Sequence, residues 1–125
     1  MNNKGQSLIT FVLIFPIIFL IVLALYDIGN IAILKNELNN INYLAIDYGL
    51  DIIDDENIQT KLTNLIKKNK NDIDNINIDI ENNQINITLK SNITLKIINT
   101  NIHTIESSYK GYIDENNQKV IKKDK

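Results

Sequence analysis

The sequence predicts an α+β protein: one long N-terminal helix, half of it in a membrane and half outside, then a short second helix and a small antiparallel β-meander. Three observations predict it. The first is an apolar run from Leu8 to Tyr26, broken only by Thr10 and Pro16. At about 1.5 Å per residue it reaches roughly 28 Å, close to the ~30 Å hydrocarbon thickness of a bilayer. The second is a 3-4-3-4-3 apolar spacing just beyond it, through Ile31, Leu34, Leu38, Ile41, Ala45 and Tyr48. The third is a drop to period two after Asn75, first at Ile76, Ile78 and Ile80, then at Ile85, Ile87 and Leu89.

The apolar run reads as a membrane-spanning helix. Roughly fifteen of its residues are Leu, Ile, Val or Phe, so insertion gains several kcal/mol even after Thr10 and Pro16 are discounted. A signal peptide fits less well, because its apolar core is shorter and ends at a small-x-small cleavage site, whereas this run closes on Ala24, Leu25, Tyr26 and Asp27. Nor can a chain of 125 residues surround so uniformly apolar a cylinder as a core helix. Residues 1–5 form a short polar leader in which Lys4 is the only charge, and residues 6–27 form the membrane helix. The expected topology is a single pass through the cell membrane, with the N-terminus cytoplasmic and the C-terminal domain extracytoplasmic. Pro16 lacks the N–H that would reach Val12, so a kink is expected there.

Composition bounds the rest. The chain carries a net charge of −2, no cysteine and no tryptophan, and one histidine. One small domain fits this length. Without cysteine there is no disulfide, no lipid-modified thiol and no thiolate metal site. The near-neutral balance gives no electrostatic footprint for nucleic acid.

The leader and membrane segment, KGQSLITFVLIFPIIFLIVLALYDIGN, resemble the N-terminus of the TadE-like pseudopilins of tight-adherence (Flp-type) pilus systems. The resemblance lies in a basic leader ending at Gly5, Phe11 six residues on, Pro16 eleven residues past the glycine, and Asp27-Ile28-Gly29 close to the helix. The segment from Asn42 to Asp51 is similar to the amphipathic continuation of that family. The resemblance implies a minor pilin-like subunit or assembly factor of an adhesion or secretion pilus. It also implies processing between Gly5 and Gln6 by a prepilin-type peptidase, with other pilin-like subunits and the pilus assembly machinery as partners. One position departs from the pattern: Thr10 stands where the family carries a glutamate. In the family that carboxylate answers the amine created by processing, and an uncompensated charge inside a bilayer is costly. The alternative function is a single-pass membrane-anchored envelope protein whose outer domain binds a protein partner without entering a filament.

In residues 28–50 the amphipathic spacing continues the helix to about Tyr48, where Gly49 suits a left-handed C-cap. Its stripe serves either as a seam for partner helices or, as the shortness of the repeat favours, as a face packed on the protein's own sheet. Residues 51–115 are expected to form the outer α+β domain. Asp54 or Asp55 caps a helix from about Glu56 to Lys68, with Ile58, Leu62, Leu65 and Ile66 as its stripe. Asp72 and Asp74 fall in a solvated connection. Asn82-Asn83 suits a tight hairpin turn, since asparagine tolerates positive φ. A second turn near Ser91-Asn92 is expected to lead into a third strand through Ile93, Leu95 and Ile97. A fourth strand then runs from Ile102 or His103 to Tyr112, and residues 116–125 form a disordered tail.

Catalysis has no foothold in this pattern. His103 is alone and reads as a strand-surface residue rather than a metal ligand. There is no phosphate loop, nucleophile elbow or paired acid and base. The two Asn-x-Thr triplets at Asn86 and Asn92 carry little weight in so asparagine-rich a chain. The reading is therefore of a non-enzymatic protein with no cofactor, no metal and no small-molecule substrate.

Overall fold

A computed structural model describes residues 3–95 and 102–124. Helix α1 (Asn3–Asp51) is followed by helix α2 (Ile58–Asn69) and by strands β1 (Asn75–Glu81), β2 (Gln84–Thr94), β3 (Ile102–Ile113) and β4 (Lys119–Lys123). The strands form one sheet in the order β1-β2-β3-β4, every neighbour antiparallel. The α+β architecture is thus the one that the periodicities predict.

Helix α1 is continuous over 49 residues and passes through Pro16 unbroken. At 1.5 Å per residue it is about 74 Å long, more than twice a bilayer's hydrocarbon thickness. Only its second half is packed. Leu38, Ile41, Ala45, Ile46 and Leu50 of α1 meet Ile58, Leu62 and Ile66 of α2 and Ile85, Ile87 and Leu89 of β2 to form the core. Period-two alternation sends these β2 residues to the helix side, while Asn86, Thr88 and Lys90 stay on the helix-free face.

The β1–β2 hairpin turns at Asn82 and Asn83 with φ of 53° and 63°, the paired positive values of a type I′ turn. Glu81 stands opposite Gln84, so the register leaves two residues in the loop, as the sequence predicts.

Four local expectations are corrected. Gly49 is not a left-handed cap, because α1 runs on to Asp51 and no glycine has positive φ among the described residues. A Cβ there would lie 2.8 Å from Ile85 Cδ1 and 3.1 Å from Leu62 Cδ1, so the missing side chain admits β2 and α2 to the helix. Helix α2 starts at Ile58 rather than Glu56, with Asn57 at its N-cap and no side-chain cap bond. Asp55 instead accepts the Asn57 N–H at 2.8 Å and pairs with Lys61, a turn just ahead of the helix.

There is no turn at Ser91-Asn92. Strand β2 runs straight through it, paired with β3 from Ile85↔Gly111 to Thr94↔Ile102. Asp74 replaces the missing β1 partner: its carboxylate accepts the Asn92 N–H at 2.7 Å and lies 3.5 Å from Ser91 Oγ. The expected third strand is therefore the end of β2, and Ile97 lies outside the described residues. The tail expected to be disordered supplies β4, paired with β3 from Tyr109↔Lys123 to Ile113↔Lys119. The hairpin forms because Asp114 Oδ1 accepts the N–H groups of Asn116 and Gln118 at 3.0 and 2.9 Å, while Asn117 takes φ 64°.

Candidate functional site

The feature that sets this molecule apart is α1 itself, which presents two different surfaces along one rod. From Leu8 to Val22, and again at Leu25, its large apolar side chains stand exposed, with Phe11 and Phe15 ring centroids 5.6 Å apart as the one close aromatic pair among the described residues. Gln6 and Thr10 share that exposed stretch, and nothing approaches the backbone of Gly5 or Gly29 within 4 Å of where a Cβ would stand. So much exposed apolar surface is incompatible with water as the only surroundings. It is the one helix among the described residues long and apolar enough to cross a membrane.

The change of surface falls at Asp27, which is 6 % exposed and engaged by a partner. Leu23, Ala24, Gly29, Asn30 and Ile31 beside it are half-buried. The folded part thus reaches along α1 as far as the end of the apolar run, with no free linker between them. Ile28 and Ile33, at 61 % and 65 % exposed, are single apolar side chains left exposed beyond this point.

Beyond this point the predicted stripe meets the sheet. Leu38, Ile41 and Ala45 are buried, and Ile31 and Leu34 are half-buried at its upper end. Tyr48 is the exception at 40 % exposed. The buried arc is wider than a two-in-seven stripe because α1 lies on both a sheet and α2, so Asn42, Ile46, Gly49 and Leu50 join it. At about 100° per residue, Tyr48 falls beyond the Ile41 side of that arc.

Polar groups fix the rod in register. Asn42, fully buried, donates from Nδ2 to the carbonyls of Ile87 at 2.9 Å and Ser107 at 3.1 Å, spanning β2 and β3. Its Oδ1 finds no donor, so the residue trades one unsatisfied acceptor for two fixed strand contacts. Lys35 Nζ donates to the Glu106 carbonyl on the stretch of β3 that extends past β4. At the far end, Lys119 of β4 pairs with Asp51 at 2.7 Å and Asp47 at 3.0 Å. The hydrogen bonds that Lys119 donates to Asp51 and then to Asp47 raise its pKa above the ordinary lysine value. Lys70, just past α2, reaches Asp72 at 3.0 Å and Glu37 of α1 at 3.6 Å, and Asp72 foremost raises its pKa.

At Gly111 of β3 an added Cβ would overlap Ile46 Cγ2. The glycine lets α1 lie directly on β3. Sequence periodicity passes over such positions because it registers apolar side chains, and both Gly111 and Asn42 contribute by other means. The Asp114-Glu115-Asn116-Asn117 run did hold a turn signal, with an aspartate at its head and an asparagine suited to positive φ.

No group of three or more His, Cys, Asp or Glu able to hold a metal ion occurs among the described residues. His103 is exposed on β3 opposite Ile93. A cleft of about 210 Å³ between α1 and the β3–β4 edge is lined by Lys35, Asn39, Glu106, Ser108, Tyr109 and Lys123.

Fold and surface together define a class: an α+β protein built on one long helix whose exposed apolar half is compatible with a single membrane anchor. Compared with known proteins, the chain matches no protein family, no curated protein and no solved structure.

Proposed function

We propose that the chain is a minor pilin-like, TadE-like subunit or assembly factor of a tight-adherence type pilus, anchored once in the cell membrane with its N-terminus cytoplasmic and its folded domain outside. The observation that supports this most is the unbroken α1, whose apolar half is exposed and whose second half lies on an antiparallel sheet. Such a rod carries a head rigidly on a membrane segment, which is what a subunit extracted from a bilayer into a filament requires. Its partners on this reading are other pilin-like subunits, the assembly machinery and a prepilin-type peptidase acting between Gly5 and Gln6.

Mass spectrometry of the N-terminal peptide, from cells with an active prepilin peptidase, tests the reading. The expected mature protein begins at Gln6. An intact leader through Gly5 favours a second reading, in which the protein is a single-pass anchored envelope protein that binds a protein partner and never enters a filament. Thr10 is the observation that favours this alternative, because a threonine offers no carboxylate to a processed amine in a low-dielectric layer.

A further inference from the structure

Strands β1 and β4 are the two edges of the sheet, and among the described residues neither outer edge is paired. The turns fix which backbone groups those edges present. Glu81 and Gln84 close a two-residue hairpin and so exchange both backbone hydrogen bonds, as then do Asp79 with Asn86 and Asn77 with Thr88. The N–H and C=O groups of Ile76, Ile78 and Ile80 therefore point out of the sheet. Ile78 agrees, since its carbonyl accepts a long bond of 3.5 Å from Gln59 Nε2 of α2. On β4, the Asp124 N–H donates to the Ser108 carbonyl and the Asp114 N–H to that of Gln118. Alternation between these bonds leaves the groups of Lys119, Ile121 and Lys123 pointing outward.

Both outward sets lie on the face that carries the helices. Ile76, Ile78, Ile80 and Ile121 pack against the core, and Lys119 reaches Asp47 and Asp51 of α1. Residues opposite each other in an antiparallel ladder share a face, so β4 of one molecule fits β1 of another with all helices on one side. In a meander of four strands β1 and β4 run in opposite directions, so a sideways shift of one molecule makes this pair antiparallel. Helix α1 runs along β3: from Lys35 at Glu106 to Ile46 at Gly111, helix and strand each advance about 17 Å. The shift therefore keeps every α1 pointing the same way, as spans of one membrane do. Antiparallel pairing of β4 with β4, or of β1 with β1, turns one α1 upside down.

Without displacement along α1, the row Asp79↔Asn86↔Lys110↔Lys122 brings Asp79 of one molecule opposite Lys122 of the next. Ile80 then faces Ile121, and Glu81 faces Val120 on the diagonal from Lys122. Lys122 lies 5.7 Å from the Tyr112 ring, and neither it nor Asp79 makes an ion pair among the described residues. The helices fit as well. Four strands span about 19 Å, the width that two helices 8–10 Å apart require, so the neighbour's α1 comes to lie beside α2. Tyr43, 51 % exposed, stands on the flank that meets it. It is one turn from Asn39, which shares a cleft with Lys123, and one turn from Asp47, which pairs with Lys119.

We propose that the chain associates with a second copy of itself, β4 of one molecule pairing with β1 of the next to extend the sheet sideways along the membrane. The inference rests on the reading of α1 as a membrane span, and not on leader processing or filament assembly. Two different edges meet, so the contact adds copies in a row or ring rather than closing at a pair. Lysines on an edge strand block pairing with a like edge, and the acidic β1 edge is the one they admit. The Gln59 bond to Ile78 is exchanged for one from β4. A five-residue strand buries little area, and confinement of both copies to one membrane supplies the effective concentration.

The chain has no cysteine, so introduced thiols report alone. Glu81→Cys and Val120→Cys leave Asp79, Lys122 and the facing isoleucines intact. Within one molecule the two sites are three strand spacings apart, about 14 Å, beyond the reach of a disulfide. The two full-length variants, tagged to differ in mass, are co-expressed, and isolated membranes are oxidised with copper phenanthroline. The mixed disulfide should exceed either self-dimer by about fivefold or more. Adding Asp79→Lys to both chains should lower it by about fivefold, and adding Lys122→Asp as well should restore it. Self-dimers as abundant as the mixed product, no disulfide at all, or a mixed disulfide indifferent to Asp79→Lys each overturn the proposal. Leader cleavage, followed on the same membranes, reports separately on the pilin-like reading: a mixed disulfide on chains that keep Met1 to Gly5 retains this contact and removes that reading. Chains that alkaline carbonate strips from the membranes overturn the span and the contact together.

Discussion

At Gly111 a single hydrogen decides whether helix and sheet can touch. An added methyl would overlap Ile46 by more than a flexible neighbour can yield, because both residues sit on regular backbone in the core. Gly111→Ala is expected to lower stability by about 1–3 kcal/mol, read from denaturant unfolding of the full chain in detergent micelles. Lys119 acts through charge instead. Its pKa is raised by Asp51 and Asp47, so its contribution is present in full below the ordinary lysine pKa and is lost as pH climbs through the raised value. Asp55 and Asp72, lowered chiefly by Lys61 and Lys70, work in the opposite direction: their contribution is present above the ordinary carboxylate range and is lost on acidification. Thermal unfolding followed between about pH 9 and 12 should show an alkaline loss that Lys119→Gln reduces in part, since Asp55 and Asp72 raise Lys61 and Lys70 in the same direction. Lys119, Asp55 and Asp72 are at the surface, so the effects should be small and weakened by salt.

Among the elements, α1 shows how far a hydrophobic pattern carries. Its stripe predicted burial at Leu38, Ile41 and Ala45, and each is buried; it also predicted Tyr48, which is not. Leu38→Ala is expected to cost about 2–5 kcal/mol, since the side chain is fully enclosed, whereas Tyr48→Ala should change stability by less than about 0.5 kcal/mol. Denaturant midpoints of the two variants, measured side by side, check the assignment of faces. The strands teach a complementary lesson. The period-two runs located β1, most of β2 and β3 correctly, but a polar Ser-Asn pair inside β2 resembled a turn. Those residues stay extended because Asp74 and β3 satisfy their backbone and side chains, which no local pattern records. In the same way KVIKK is too short and basic to signal a strand alone, and becomes one when β3 offers an edge.

On the scale of the whole molecule, the polarity of α1 sets every consequence. A rod with one apolar exposed half and one packed half is compatible with a single membrane anchor, the first half in lipid and the domain beside it. For the proposed orientation, protease added to intact spheroplasts should remove the chain from Glu56 onward while protecting residues 6–27. Full protection of the outer domain, with digestion only after lysis, would place it on the cytoplasmic side.

Local pattern alone specified the two helices, β1, β3 and most of β2, the apolar run, the Asn82-Asn83 hairpin and the greater part of the packed stripe. These features are local: helical and strand periods, turn chemistry and transfer energies act within a few neighbouring residues. The tertiary structure decided what depends on residues distant in the chain. It placed Asn42 across two strands, brought neighbouring elements against Gly49 and Gly111, continued β2 past Ser91 and drew residues 119–123 into the sheet. Each is a contact that exists only once the sheet has formed against α1, so its energy is absent from any window of the sequence short enough to read as a pattern.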